Sequence, residues 1–445
     1  MVTESSRPAG RRVLFVAHGF PPYDGSGVWT PLATANALAR RGHQVTVLAA
    51  DHWTLGLMNQ FDPGLVARID PAIEVKRLTL PLGPIDPMVT HWSDRRAERV
   101  SAFYNEPVWR VNLELDAAWR ALFPEPKGAT NYARAYPVLN SAARALHRDQ
   151  PFDLVFANAS PWTDFSVALR LGVEGDVPTV IYDRDSWLFN VFTGQPYGNA
   201  DKIEPLLDQL LGQVTQAWFI NDAIAALHRE HFPRHAGKIK AVRGGWDPEF
   251  LPGAMQPPAR SADRDLVFRF IGTITSLFPL EMVQQAWRLA GQMSEAIGRA
   301  RLEFVGDSHH PDSATTSSDG IVFRDKVSKE SLPSLYQQTD VLLFLKEGGG
   351  LVTSGKVYEY VATGLPIVAA LQPAHDARQV LAGRDLVFLA DAVTPEALAR
   401  AFALAASHTP QPDEVAMAHQ HALAYRRDVA LDRALSGLEG ELGWT

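Results

Sequence analysis

The chain reads as an α/β protein made of two doubly wound units in tandem, and three observations predict this. Short apolar runs alternate with helix-period segments, first from Arg12 to Val242 and again from Leu266 onward. Between Leu251 and Asp265 the composition shifts to Pro, Gly, Ala, Ser and Arg, the signature of a linker. Late in the second series a glycine-rich loop, Gly348-Gly349-Gly350, sits between an apolar strand and a short helix, where backbone amides have room to meet an anion.

Taken in order, the first strand is Arg12–Ala17, and a glycine loop follows it, Gly25-Ser26-Gly27. A helix is predicted from about Thr30 to Arg41, with Leu32, Ala35, Leu38 and Ala39 on one face and Gly42 stopping it. Gln44–Leu48 is the next strand, and strand, helix, strand in that order predicts a right-handed parallel unit. Residues 51–137 are rich in Trp, Tyr, Pro and Arg and read as a partly helical insertion after the second strand. Strands resume at Asp153–Ala157, Pro178–Tyr182, Ala217–Ile220 and Ile239–Val242. The second series runs Leu266–Ile271, Leu302–Val305, Ile321–Phe323, Val341–Leu345, Ile367–Ala370 and Leu386–Leu389. Helical patterns at Leu280–Ile297, Leu332–Gln338 and Pro395–Ala406 separate these strands, and 413–442 reads as one or two closing helices.

Bulk properties narrow the function. A chain of 445 residues exceeds what one core usually supports. The formal net charge of −8 argues against a general nucleic-acid or anionic-membrane binder. With no cysteine, thiolate chemistry, disulfides and cysteine metal sites are excluded. Only Val13–Ala17 separates Arg12 from His18, too short for a signal-peptide core, and no run approaches the ~20 apolar residues of a membrane span. A cytoplasmic protein with no membrane association is expected; the oligomeric state is left open.

The candidate site residues cluster at predicted strand ends, where ligands of doubly wound sheets bind. Gly25-Ser26-Gly27 lacks the third glycine of a dinucleotide fingerprint, since Thr30 stands there, so it reads either as a helix-entry turn or as a loop beneath a phosphate or sugar. His18 closes the first strand. Asp183-Arg184-Asp185 follows the strand ending at Tyr182 and is either a paired surface cluster or an acceptor site, with a carboxylate for a hydroxyl and Arg184 for phosphate or sugar. In the second series, Gly272-Thr273-Ile274-Thr275 offers hydroxyl and backbone donors for a diphosphate, or is a plain turn. Asp325-Lys326-Val327 can frame a nucleobase. Lys356 and Glu359, one turn into the helix after Gly348–Gly350, supply a cation for phosphate and an acceptor for hydroxyls, a set that suits a sugar nucleotide. No metal-ligand spacing appears at His43, His309-His310 or Asp307/Asp312, and there is no Walker loop or nucleophile elbow.

These residues carry a resemblance. Pro21-Pro22 with Gly25–Gly27, Arg184–Trp187, Arg243-Gly244-Gly245-Trp246-Asp247, Phe270–Thr273, and Ser354–Tyr360 through Gly364–Val368 resemble a retaining nucleotide-sugar-dependent glycosyltransferase of family 4, with the GT-B fold. The resemblance spans most of the chain apart from 51–137, and its last motif is the most specific. It implies two tandem Rossmann-like domains facing a cleft: an acceptor domain over 1–250, a linker at 251–264, a nucleotide-sugar domain over 265–412, and C-terminal helices over 413–445 that can cross back to the first domain.

The resemblance also implies residue roles. Glu359 would accept from the donor ribose and Lys356 would meet the diphosphate, while Gly349, Gly350 and Leu351 would offer amides to the sugar. Gly25, Ser26, Gly27 and Arg184 would approach the phosphates from the first domain. Gly272, Thr273, Thr275 and Ser354 would line the diphosphate, and Lys326 and Val327 would border the base. Asp185, His18 and Glu347 are the catalytic candidates. The family often pairs two glutamates seven residues apart; that count from Glu359 reaches Leu351, whereas Glu347 stands before the glycines, and the sequence leaves open which takes the first place. No cofactor or metal is implied beyond the sugar nucleotide as co-substrate, and the acceptor would be a small-molecule scaffold or a glycan. Other readings are a GT-B epimerase, a pseudo-glycosyltransferase, and a non-catalytic sugar-nucleotide-binding partner.

Overall fold

The computed structural model describes residues 10–25, 27–51, 62–78, 136–159, 162–197, 200–251, 253–255, 258–259, 264–274, 278–308, 320–346, 350–351 and 353–444. Contacts divide the chain into two units. One comprises Met1–Asn190, Gln195–Val242 and Leu431–Thr445; the other comprises Val191–Gly194 and Arg243–Ala430.

The first unit holds β1 (Arg12–Val16), α1 (Trp29–Arg40), β2 (Gln44–Ala50), β3 (Glu74–Leu78), α2 (Tyr136–Asp149), β4 (Leu154–Asn158), α3 (Phe165–Glu174), β5 (Thr179–Asp183), α4 (Ala200–Gln213), β6 (Gln216–Phe219), α5 (Asp222–His231) and β7 (Ile239–Ala241). All seven strands are parallel, in the order β3-β2-β1-β4-β5-β6-β7. The central strands are buried along their whole length, which explains why each reads as an unbroken apolar run. On α1 the expected Leu32, Ala35, Leu38 and Ala39 are the buried face. β3 corrects one expectation: it lies inside 51–137, the stretch read as insertion, and pairs with β2. Its sequence, Glu-Val-Lys-Arg-Leu, is that of a half-solvated edge strand, so no apolar run marks it.

The second unit holds β8 (Val267–Ile271), α6 (Leu280–Met293), α7 (Glu295–Arg299), β9 (Arg301–Val305), β10 (Ile321–Arg324), α8 (Leu332–Gln337), β11 (Val341–Leu345), α9 (Gly355–Thr363), β12 (Ile367–Ala370), α10 (Arg378–Leu381), β13 (Val387–Leu389), α11 (Pro395–Ser407), α12 (Pro412–Ala422) and the start of α13 (Arg427–Glu441). Its six parallel strands run β10-β9-β8-β11-β12-β13, reversing direction at β8/β11, the switch point where open α/β sheets bind ligands. One core cluster packs α6 and α11 on one face; another packs α9 and α10 on the other. The expected helix 280–297 is broken at Ser294, whose extended backbone (φ −143°, ψ 119°) separates α6 from α7.

Arg269 interrupts the apolar β8 and is buried. It donates to Glu303 (2.7 Å), to the carbonyls of Leu335 and Gln338, and to Thr339. That full set of partners is what makes a buried guanidinium tolerable, and it ties β8 to β9 and to the end of α8.

Candidate active site

The chemistry-bearing residues of the second unit gather at the carboxyl ends of its strands. Gly272 follows β8 with φ 146°, and a Cβ there would lie 1.7 Å from Lys356 Nζ and 2.0 Å from its Cε. Only glycine leaves room for the lysine to cross this turn, so the two residues, 84 apart in sequence numbering, form one construction. Gly306 after β9 packs in turn on the Gly272 backbone, with a Cβ there only 2.4 Å from the Gly272 carbonyl oxygen. Lys356 also has its ammonium 5.5 Å from the Phe270 ring centroid. Burial, with the charge of Lys346 at the end of β11 acting the same way, pulls Lys356 down to about 8, while Glu359 opposes the shift. Among the described residues Lys356 forms no ion pair.

Gly350 lies in the loop between β11 and α9, with φ 58°. His375, in the loop after β12, fills the space a side chain at 350 would occupy: a Cβ there would be 2.0 Å from His375 Cδ2 and 2.4 Å from Nε2. The Asp376 amide donates to the Gly350 carbonyl (3.2 Å), and the Thr353 hydroxyl bonds the Asp376 carboxylate. The Leu351 amide donates to the Val191 carbonyl (3.0 Å), so this expected sugar-contacting amide is already engaged. Ser354 caps the start of α9 without a side-chain cap bond, and Gly364 closes the helix in the left-handed conformation. Glu347 and Gly349 lie outside the described residues, as do Ser26 and Thr275.

Glu359 is half-buried and fixed from two sides. Its Oε1 accepts from Lys329 Nζ (2.9 Å), and it bonds the hydroxyl of the fully buried Tyr336, whose pKa burial and the carboxylate drive well above the ordinary tyrosine value. Lys329 also stands 3.7 Å from Asp247 Oδ2 and 4.8 Å from the Phe250 ring centroid, while Asp247 Oδ1 accepts from Arg427 (2.8 Å). Sequence reading named Lys326 and Val327. Both follow β10; Lys326 is exposed and Val327 packs against the core, but the cation that reaches Glu359 is Lys329, two residues further on. Thr273 is exposed beside Gly272.

In the first unit the candidates again follow the strands. His18, after β1, is 2% exposed and Asp164, after β4, is 0%. The Asp164 carboxylate accepts from the His18 amide (2.9 Å) and bonds His18 Nδ1, fixing the ring by a buried acid that sequence reading missed. Gly25 accepts the amide of Val28 (3.0 Å). Gly27 is the place where the two loops meet: a Cβ there would be 2.8 and 2.9 Å from the Arg184 guanidinium nitrogens. Arg184 donates from Nε to the Ala159 carbonyl (2.6 Å). Asp185 is exposed, whereas Asp183 is buried and structural. Asp183 accepts from Trp162 Nε1 (3.1 Å) and from the amides of Asp185 (3.3 Å) and Trp187 (3.0 Å). Burial raises its carboxyl to about 6, against those hydrogen bonds and with a further push from Asp185. Ser186, with φ 58°, contacts His228, which burial drives down to about 4 and so keeps neutral.

Among the described residues no group of three or more His, Asp or Glu side chains has the arrangement of a metal site, and no helix is long and apolar enough to cross a membrane.

Residues 266–407 match the family model described as glycosyl transferases group 1. No curated protein matches the chain in sequence. Among solved structures, Anabaena Alr3699/HepE in complex with UDP and glucose is similar at 13% identity, covering 97% of this chain and 100% of that one, with a TM-score of 0.58. A glycosyltransferase from Rickettsia africae is similar at 12% identity over 97% and 99%, TM-score 0.60. Sucrose-phosphate synthase from Thermosynechococcus elongatus is similar at 14% identity over 98% and 100%, TM-score 0.58.

Proposed function

We propose that this chain, which has the GT-B fold and whose residues 266–407 match the glycosyl transferases group 1 model, is a glycosyltransferase that moves a sugar from a nucleoside-diphosphate sugar to a natural-product scaffold, glycan or lipid-linked glycan. The observation that carries the donor assignment is the crossing of Lys356 over Gly272. It places a buried ammonium, without an ion pair among the described residues, at the strand ends, where burial first and the charge of Lys346 second bring it to a pKa of about 8. A buried ammonium held at that cost, with a second positive charge acting on it, forms a site for a diphosphate, whose charge offsets both. In this reading Lys356 stabilises the departing diphosphate. Glu359, steadied by Lys329 and Tyr336, accepts from the ribose; Lys326 and Val327 border the base; and Gly272, Thr273 and Ser354 line the phosphates. UDP bound to the HepE structure supports a nucleotide of that class as donor.

The acceptor falls to the first unit, with Asp185 and His18 meeting its hydroxyl and Arg184 beside Gly25 and Gly27 steadying an anionic or sugar portion. Retention of the donor's anomeric configuration goes with the resemblance to family 4. A second reading, inversion, is favoured by the His18–Asp164 pair. A buried carboxylate on Nδ1 presents Nε2 as a general base, the group that deprotonates an acceptor in a single displacement.

Nucleoside diphosphate released only when an acceptor joins a sugar nucleotide supports transfer. Isomerisation of the sugar nucleotide alone means an epimerase. No turnover with any acceptor despite tight donor binding means a non-catalytic partner. The anomeric coupling constant of the product decides between retention and inversion.

A further inference from the structure

Within the donor reading above, one buried histidine has no role yet. His375 is 2% exposed, and its Nδ1 accepts the amide of Ala377 (3.1 Å), which fixes the tautomer with the proton on Nε2. Among the described residues that Nε2–H has no hydrogen-bond partner. It lies against Gly350, in the place a side chain there would take, at the switch-point end of the sheet that also holds Lys346 and Lys356. A buried donor left unsatisfied keeps its full desolvation penalty, and such groups persist where a ligand completes them.

We propose that His375 is a donor-sugar contact, its Nε2–H donating to a hydroxyl of the transferred sugar bound against Gly350. The charge around it decides between sugar and phosphate. Burial, aided by the Lys346 charge, drives His375 down to about 4, so at neutral pH it carries one directional proton and no charge. The two lysines hold the anion-binding role, and a neutral single donor matches a hydroxyl. Gly350 is then required twice: for its left-handed backbone and for the space through which the imidazole edge meets the ligand.

The test takes the member of a UDP-, GDP- and dTDP-sugar panel that most raises the wild-type melting temperature, together with its parent diphosphate. Both are titrated into wild type, His375→Met and His375→Gln. Methionine keeps the volume and removes the donor, so it should weaken the sugar nucleotide about fivefold to tenfold and leave the diphosphate within twofold. Glutamine, which keeps an N–H, should recover most of the loss. A measurement on the unsubstituted protein accompanies these: the histidine Nε2 resonance of His375 should move with the sugar nucleotide and stay put with the diphosphate. Equal affinity in wild type and the methionine variant, equal loss for both ligands, or a resonance indifferent to the sugar each overturn the assignment while leaving the donor reading intact. If no nucleotide sugar in the panel binds the wild type, the donor reading falls and this inference falls with it.

Discussion

Both units lay a basic side chain across a glycine, and the two constructions differ in what surrounds the charge. In the first, the Arg184 guanidinium lies on Gly27, donates to the Ala159 carbonyl, and acts electrostatically on Tyr23 together with the carboxylates of Asp24 and Asp185. In the second, Lys356 lies on Gly272, buried, with the charge of Lys346 acting on it more strongly than that of Glu359 and no ion pair among the described residues. A cation among carboxylates has little appetite for an anion; a cation beside a cation has a large one. The same local device therefore produces a balanced surface in one unit, suited to orienting hydroxyls, and an anion sink in the other.

Gly272→Ala should break the second construction with the largest effect. The added methyl meets the lysine at 1.7 Å on a backbone with φ 146°, so kcat/KM should fall by more than about 100-fold and the folded state should lose ~1–3 kcal/mol in denaturant titration. Activity equal to wild type would mean that the crossing does not position Lys356. Lys356→Met removes the charge and leaves the turn, so about a 100-fold loss in kcat is expected with a melting temperature at or above that of wild type, the cost of burying the ammonium being gone. If only KM moves, the lysine serves ground-state binding rather than the departing diphosphate.

pH gives the next effect in size. With Lys356 titrating near 8 rather than at the ordinary 10.5, donor affinity should fall by up to roughly tenfold per unit as pH rises through about 8, and the fall should vanish in Lys356→Met. Folding stability should move the other way. The unfolded chain keeps that proton up to 10.5, binds more protons than the native state between about 8 and 10.5, and so loses ground to it as pH rises. Calorimetry of donor binding and urea titrations at pH 7 and 9.5 read the two signs separately. The smallest effect should come from Gly27→Ala. Its contact is with the far end of a flexible side chain at 2.8 Å and its backbone is not left-handed, so Arg184 can swing aside at a cost of about twofold to threefold in acceptor KM. A loss as large as that of Gly272→Ala would erase the contrast between the two units.

The two parallel sheets were legible because buried parallel strands read as continuous apolar runs, as in Val341–Leu345 and Leu154–Asn158. β3 was not, since an edge strand of Glu, Lys and Arg imitates a loop. Lys356, Glu359, Gly272 and Gly27 were legible as candidates from their places at strand ends; that they form pairs across the fold was not, because nothing in local spacing joins residue 272 to 356 or 27 to 184. Asp164, Lys329 and His375 were missed for the same reason. Each acts through a partner far away in the chain: His18, Glu359 and Gly350.

The last helix has a consequence for the order of biosynthesis. α13 begins among residues of the second unit, yet from Leu431 onward it belongs to the first, where Leu431, Leu435 and Leu438 sit in the core with Val13, Phe15 and Leu38. Each buried leucine contributes ~1.5–3 kcal/mol, a sum comparable to the whole net stability of a typical domain. A nascent chain emerging from the ribosome can finish its second core before its first. The amino-terminal sheet, made earlier, waits for these later-made leucines to close over it, and a chain stalled near residue 430 would leave its older unit the less stable one.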